Sequence, residues 1–354
     1  MKKILFFDVA DYEVEYLAKA CAGKFEYELI KESLSSILEI KRTWDNVDII
    51  SSFTTSRIGK DVLKKFPKLK LIALRSVGFN HVDIDYCKRH KIAVVNTPNY
   101  GNMTVAEFAF SLLLDVNRKV TLAYNDLKNG IVDARHTIGQ ELFGKTIGIV
   151  GLGAIGAEMA RLSYGFGLKV LGYDIKERDI LREKYAVSYV SFDELLQRSD
   201  FISIHAPLTK NNYHLFDEKA FEKMKSGVVI VNTARGEIID TQALYNAIVD
   251  GKIAGAGLDV LESEEILTDP DYLVDVGRMK VDILKKTVLN NSLFKLDNVI
   301  ITPHIAYDTK EAIDRILFLT MSNIFSFEHG VLQNQVVWIL QNVNMLLCIR
   351  QFFL

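Results

Sequence analysis

The segment Thr146-Ile147-Gly148-Ile149-Val150-Gly151-Leu152-Gly153-Ala154-Ile155-Gly156 has the residue types of a phosphate-binding turn. A strand pattern enters it, and 157–162 continues as a helix pattern. Gly151 permits a tight turn, Gly153 removes a Cβ that would bar the backbone from a pyrophosphate, and Gly156 lets helix and strand pack closely. The helix start then offers free N–H groups and the positive end of its dipole to phosphate. The next strand pattern ends at Asp174, whose carboxylate can accept hydrogen bonds from ribose hydroxyls and repel a 2′-phosphate. Ile175 and Lys176 follow, with no arginine to receive that phosphate. A glycine turn alone is a weak signal. Strand, helix and acid together point to a dinucleotide, and to NAD over NADP.

Three later segments place polar groups just past apolar runs. They are Asn232-Thr233-Ala234-Arg235-Gly236, then Gly257-Leu258-Asp259-Val260-Leu261-Glu262-Ser263-Glu264, then Thr302-Pro303-His304-Ile305-Ala306-Tyr307. In an open parallel sheet, ligands collect at the carboxyl ends of the strands. Each residue alone has an ordinary alternative: Arg235 as a surface ion pair, Glu264 as a solvated acid at a helix start, His304 as a strand-end cap. Their joint placement favours a site.

The elements that must position these groups alternate along the chain. Strand patterns fall at 3–9, 47–51, 70–75 and 92–96, separated by amphipathic stretches at 13–22, 59–66 and 81–90. A long helical pattern covers 104–127. A second series follows at 146–150, 169–174, 201–205, 228–233, 255–260 and 299–303. These runs are nearly continuously apolar, as strands buried on both faces should be. Such alternation predicts an α/β fold of two doubly wound parallel-sheet domains. The second series is one nucleotide-binding domain, about 101–304. The first domain is discontinuous: 1–100, then 305–335 with a returning helix at 309–329. The apolar stretch 336–354 is interrupted by Gln341, Asn342, Asn344, Arg350 and Gln351. A spanning helix needs about 20 predominantly apolar residues, so a packed or partly disordered tail is expected there instead of an anchor.

Of 354 residues, 49% are hydrophobic and 25% charged, enough for two cores. A net charge of −2 gives no electrostatic case for nucleic acid. The cysteines, Cys21, Cys87 and Cys348, are far apart, which suggests neither a disulfide framework nor a zinc site and fits a reducing compartment. The first apolar run stops at Asp8, too short for a secretory signal, so the cytoplasm is expected.

The glycine turn, His205-Ala206-Pro207-Leu208-Thr209, Asn232-Thr233-Ala234-Arg235-Gly236, Gly257-Leu258-Asp259-Val260 and Thr302-Pro303-His304 stand in the order found in the D-2-hydroxyacid dehydrogenase family. Arg75-Ser76-Val77-Gly78-Phe79-Asn80-His81-Val82-Asp83 is also similar to that family. Over about residues 1–335 the chain resembles its D-lactate dehydrogenase branch in particular. The resemblance implies a Rossmann NAD-binding domain inserted in a flavodoxin-like substrate domain, and a homodimer with the 104–127 helix at the interface. It implies that His304 exchanges a proton with the carbonyl oxygen, a role suited to a group titrating near neutrality. Glu264 would pair with His304 and favour its protonated form. Arg235 would bind the keto-acid carboxylate and polarise the carbonyl, which a guanidinium fork does better than a lysine. The amides of Val77 and Gly78 would hold the carboxylate's other side, and Tyr100 would contact it. For NAD the resemblance implies Gly151, Gly153, Ala154, Ile155, Gly156, Asp174, His205, Ala206, Pro207, Asn212, Thr233, Ala234, Arg235 and Asp259. No metal is implied.

Two departures from the family pattern stand out. Its Glu-x-Glu-Pro is here Glu262-Ser263-Glu264-Glu265, without proline, which leaves open which acid serves His304; Glu264 is the expected one. The stretch 336–354 matches nothing in the pattern. For the substrate, the lactate branch places aromatic rings at Phe53 and Tyr307, which would leave space for little more than a methyl group and so favour pyruvate and D-lactate. The alternatives are another member of the family acting on hydroxyisocaproate, glyoxylate or hydroxypyruvate, and a dinucleotide-sensing binding protein like the corepressors that share the fold.

Overall fold

The computed structural model describes residues 1–35, 44–133, 135–264 and 281–337. The chain divides into two compact units: Met1–Tyr100 with the segment that begins at Thr309, and Gly101–Asp308.

Among the described residues, unit 1 holds the strands β1 (Lys3–Phe6), β2 (Glu26–Leu29), β3 (Ile49–Ser52), β4 (Leu71–Leu74) and β5 (Ala93–Val95). They form one parallel sheet in the order β2-β1-β3-β4-β5. β3, β4 and β5 are buried on both faces, which is why β4 and β5 are unbroken apolar runs, while β3 ends in two buried serines, Ser51 and Ser52. Phe7, Ile50, Ile72 and Val94 pack on one face with Trp44 and Phe66, whose rings stack at 5.1 Å. Ile4, Phe6, Ile49 and Leu71 pack on the other, against Leu17 of α1 (Asp11–Cys21) and Leu317, Met321 and Ile324 of the helix Lys310–Glu328. The edge strand β2 escapes the sequence pattern because alternate residues are charged: Glu26 and Glu28 both pair with Lys3. Of the stretch 336–354, only Val336 and Val337 are described. The Val336 amide donates to the Val94 carbonyl at 2.9 Å, and Val337 is wholly buried. The expectation for 338–354 lies outside the described residues.

Unit 2 opens with α2 (Asn102–Arg118) and α3 (Val120–Lys128). The single helix expected over 104–127 is broken at Lys119, which is left-handed with φ 54°. The cause is local. Asp115 accepts hydrogen bonds from the Thr121 amide at 2.8 Å and hydroxyl at 2.6 Å, so it caps the second helix and ends the first. Beyond them lie β6 (Thr146–Val150), β7 (Lys169–Tyr173), β8 (Ser188–Tyr189), β9 (Phe201–Ile204), β10 (Val228–Asn232), β11 (Ile253–Leu258) and β12 (Val299–Ile301). This parallel sheet runs β12-β11-β10-β9-β6-β7-β8. The strand order reverses between β6 and β9, and a crevice at the carboxyl ends follows from that reversal. Both sheets have the doubly wound arrangement expected from the sequence. Among the described residues no helix is long and apolar enough to cross a membrane.

Candidate active site

The glycine turn leaves β6 and enters α4 (Ala154–Gly165). Gly151 is left-handed at φ 88°, and a Cβ there would lie 2.5 Å from the Ala206 amide nitrogen. A Cβ on Gly156 would fall on the Gly151 carbonyl oxygen. At Gly153 a Cβ would meet nothing within 4 Å. Packing does not demand that glycine, but a phosphate lying against the turn would. The first-turn amides of α4, at Ala154, Ile155 and Gly156, have no acceptor within their own helix. Asp174 follows β7, where its Oδ2 accepts from the Leu152 amide at 2.5 Å and its Oδ1 from the Lys176 amide at 3.0 Å. The turn and the acid are thus locked together, and this cradle fits a dinucleotide diphosphate and its ribose.

Across the switch point, His205 follows β9. Its Nε2 lies 2.8 Å from Ser203 Oγ, and burial pushes its pKa down to about 3, so the ring is neutral. Its Nδ1 has no hydrogen-bond partner among the described residues. Asn212 closes the loop after Pro207: it donates to the Pro207 carbonyl at 2.8 Å and accepts from the Thr209 amide at 2.6 Å.

The polar segments after β10, β11 and β12 converge. Asn232 accepts from the Ala234 amide at 3.0 Å and donates to the Arg235 carbonyl at 2.8 Å, shaping the loop that carries the arginine. Thr233 Oγ1 is buried without a hydrogen-bond partner among the described residues. Arg235 Nη1 donates to the Ala234 carbonyl at 2.6 Å, and no described carboxylate pairs with the guanidinium. His304 Nδ1 lies 2.8 Å from Glu264 Oε1, whose other oxygen accepts from the Leu261 amide at 3.1 Å. Ser263 and His304 are both left-handed, at φ 56°. Such strain persists only where the surroundings enforce it. Burial pushes the His304 pKa down, but the hydrogen bond and charge of Glu264, with the charge of Asp259, raise it above the ordinary value against Arg235. With Nδ1 engaged, Nε2 is the nitrogen left to exchange a proton.

Asp259 does more than its sequence position suggests. Oδ1 accepts from Thr302 Oγ1 at 2.6 Å and the Ile305 amide at 2.9 Å, Oδ2 from the Ala306 amide at 2.9 Å, and its carbonyl from the His304 amide at 3.0 Å. It builds the loop that presents His304. In unit 1, the Val77 carbonyl accepts from Asn96 Nδ2 at 2.8 Å and the Gly78 carbonyl from Ser76 Oγ at 2.7 Å. The amides of Val77 and Gly78 have no acceptor among the described residues, as a carboxylate cradle requires. The Phe53 amide donates to Asp8 at 2.9 Å. Tyr100 is buried, with its carbonyl held by Arg315 at 2.6 Å, and Tyr307 is half-buried.

Residues 110–306 match the model of the D-isomer specific 2-hydroxyacid dehydrogenase NAD binding domain. The chain belongs to that family. Among its relatives, the glyoxylate reductase of Korarchaeum cryptofilum is 35% identical over 88% of this chain and 90% of its own length. The D-lactate dehydrogenase of Escherichia coli is 35% identical over 93% and 97%. Among solved structures, D-lactate dehydrogenase from Aquifex aeolicus complexed with NAD and lactic acid aligns with a TM-score of 0.82 and 37% identity, covering 95% of this chain and 99% of that one. Unit 2 is thus the NAD-binding domain of a 2-hydroxyacid oxidoreductase, on a Rossmann fold.

Within this family site, sequence reasoning missed three features. Glu262, the first acid of the doublet, is buried and bonds His214 Nε2 at 2.8 Å, Lys286 Nζ at 2.9 Å and Thr241 Oγ1 at 2.7 Å. Burial opposes but does not outweigh these donors, which hold its carboxyl below the ordinary range. It is therefore committed elsewhere, and Glu264 alone of the two meets His304. Nothing in the sequence marks His214. An arginine does stand near Asp174: Arg178 Nη1 donates to the Gly153 carbonyl at 3.2 Å and the Leu152 carbonyl at 3.3 Å. It lies two residues beyond Lys176, where sequence inspection of the strand end stops.

Proposed function

We propose that this dehydrogenase interconverts pyruvate and D-lactate with NAD. The observation that carries the chemistry is the His304–Glu264 pair at 2.8 Å beside the cation Arg235, whose charge acts on the imidazole. Arg235 binds the substrate carboxylate and polarises the carbonyl. His304 gives a proton from Nε2 to the carbonyl oxygen during reduction and takes it back during oxidation, with Glu264 stabilising the imidazolium. The bound nicotinamide supplies or accepts the hydride. Asp174 holds the ribose diol. His205, Ala206, Pro207, Asn212, Thr233 and Ala234 are further cofactor contacts, and Asp259, a contact to the nicotinamide amide, also anchors the loop that carries His304. Val77 and Gly78 offer amides to the carboxylate, with Tyr100 as a further carboxylate contact, Phe53 as a wall for the substrate side chain and Tyr307 as a second aromatic contact. An NADH oxidation assay with a keto-acid panel tests the substrate. Pyruvate should give the highest kcat/KM; preference for glyoxylate, as the relatedness to a glyoxylate reductase allows, would reassign the substrate within the family.

The proton role has a sign that can be checked. Reduction needs protonated His304, so its rate falls as pH rises through the raised pKa. Glu264→Gln removes the hydrogen-bonded charge that raises that pKa. The falling limb of keto-acid reduction should move to lower pH, read from kcat/KM against pH. An unmoved limb would remove Glu264 from the role.

The chain also has a face suited to a second copy. Val120, Tyr124 and Leu127 of α3 are exposed on one helical stripe, followed by exposed Ile131, Val132, Ile138 and Phe143. A homodimer through this face should give twice the chain mass by light scattering, and Leu127→Asp should halve it. A cytoplasmic setting fits the buried, unpaired thiols Cys21 and Cys87.

A further inference from the structure

Unit 1 contains a polar hub at the end of β1. Asp8 is left-handed, at φ 58°. Its Oδ2 accepts from the Phe53 amide at 2.9 Å and Ser56 Oγ at 2.7 Å, and its Oδ1 from Thr55 Oγ1 at 2.8 Å. One carboxylate therefore collects three donors from the loop 53–56. The Asp8 carbonyl is held in turn by Arg75, which is wholly buried. Arg75 Nη2 reaches that carbonyl at 2.9 Å and the Phe7 carbonyl at 2.5 Å, Nη1 reaches Ser51 Oγ at 3.2 Å, and Nε lies 3.1 Å from Glu13 Oε1. Two residues past Arg75 come Val77 and Gly78, whose amides have no acceptor among the described residues.

We propose that Asp8 is a positioning residue for substrate specificity: its carboxylate fixes the loop that carries Phe53, and its carbonyl, through Arg75, ties that loop to the turn at Val77 and Gly78. The proposal rests on the reading of Phe53 as the side-chain wall. The physical argument is one of donors and acceptors. A ring defines a narrow pocket only if its backbone is held, and a charged acceptor holds amide and hydroxyl donors more firmly than a neutral one. Asp8→Asn removes the charge and replaces one accepting oxygen by a donor NH2, so the donor facing that nitrogen must either turn to accept, as the Thr55 and Ser56 hydroxyls can, or lose its partner, and the bonds that remain are no longer charge-assisted. Phe53 then samples more positions, and a larger keto acid is excluded less.

The test compares kcat/KM for phenylpyruvate with that for pyruvate, in the full-length enzyme with saturating NADH. Phe53→Ala should raise the ratio about tenfold or more, within the range by which an apolar pocket separates substrates, and Asp8→Asn, which only loosens the ring, by less, about threefold to tenfold. Because Asp8 acts through the ring, Asp8→Asn should add nothing in the Phe53→Ala background. NADH affinity by fluorescence should not change. A purely structural role would lower the melting temperature and leave the ratio alone. Should Asp8→Asn fold poorly, Thr55→Val removes one donor at an exposed position and should move the ratio the same way by less. A ratio shifted by Phe53→Ala but not by Asp8→Asn or Thr55→Val overturns the proposal and spares the pocket reading. Independent effects in the double variant overturn it as well. No shift with Phe53→Ala overturns the pocket reading, and the proposal with it.

Discussion

Replacing His304 with glutamine should lower kcat for keto-acid reduction about 10²–10⁴-fold, the usual contribution of a positioned general acid. NADH binding, followed by fluorescence, should stay as it is. The separation follows from where the groups sit. The dinucleotide cradle is built from the turn after β6 and from Asp174 after β7, whereas His304 follows β12, and its ring bonds only Glu264 among the described residues. Glutamine can still donate to Glu264, so the loop keeps that hydrogen bond while the titrating proton disappears. The backbone of residue 304 is held by its own amide on the Asp259 carbonyl at 3.0 Å and by Asp259's bonds to residues 305 and 306. These anchors do not depend on the imidazole. A variant that keeps kcat within about tenfold of the parent falls below the range for a general acid, and the proton donor would then have to be sought elsewhere.

The strands were legible because their chemistry is simple. A central parallel strand is buried on both faces, so β4 and β5 announce themselves as unbroken apolar runs, and β9 and β10 nearly so, with Ser203 inside one and Asn232 at the end of the other. β2 was not legible, because an edge strand can keep Glu26 and Glu28 in solvent and pair them with a neighbour's lysine. The break at Lys119 was hidden for a different reason. The apolar stripe continues through it, and only a side chain four residues earlier, Asp115, stops the helix. In the site, the glycine turn and the order of the polar segments could be read from spacing alone. The division of labour between Glu262 and Glu264 could not, since both lie at the same strand end. It is decided by distant partners: His214, Lys286 and Thr241 claim Glu262. Asp259 shows the same limit. Its position suggests a ligand contact, but the hydrogen bonds that occupy it come from residues 302–306, brought close by the pairing of β11 with β12.

Arg235→Lys should reduce kcat/KM for the keto acid about 10–100-fold, the loss expected when one charge-assisted hydrogen bond of a bidentate pair goes. Most of this should appear in KM, because carboxylate binding is made in the ground state as well as in the transition state. Lysine retains the charge but offers a point instead of a fork, and its flexible stem must be ordered on binding. The guanidinium is well placed to grip a carboxylate, being half-buried, tethered by one nitrogen to the Ala234 carbonyl, and unclaimed by any described carboxylate. Arg235→Gln goes further, since it also removes the charge. That charge lowers the pKa of His304. Without it the imidazole holds its proton to higher pH, so the falling limb of keto-acid reduction should move up, opposite to the shift expected for Glu264→Gln. Lysine, keeping the charge, should leave the limb where it is. The two Arg235 variants thus separate the two roles proposed for that residue: the KM effect reports its fork, and the pH limb reports its charge. A Gln variant whose limb moves down, or a Lys variant with an unaltered KM, would contradict the placement of Arg235 beside both the substrate carboxylate and the imidazole.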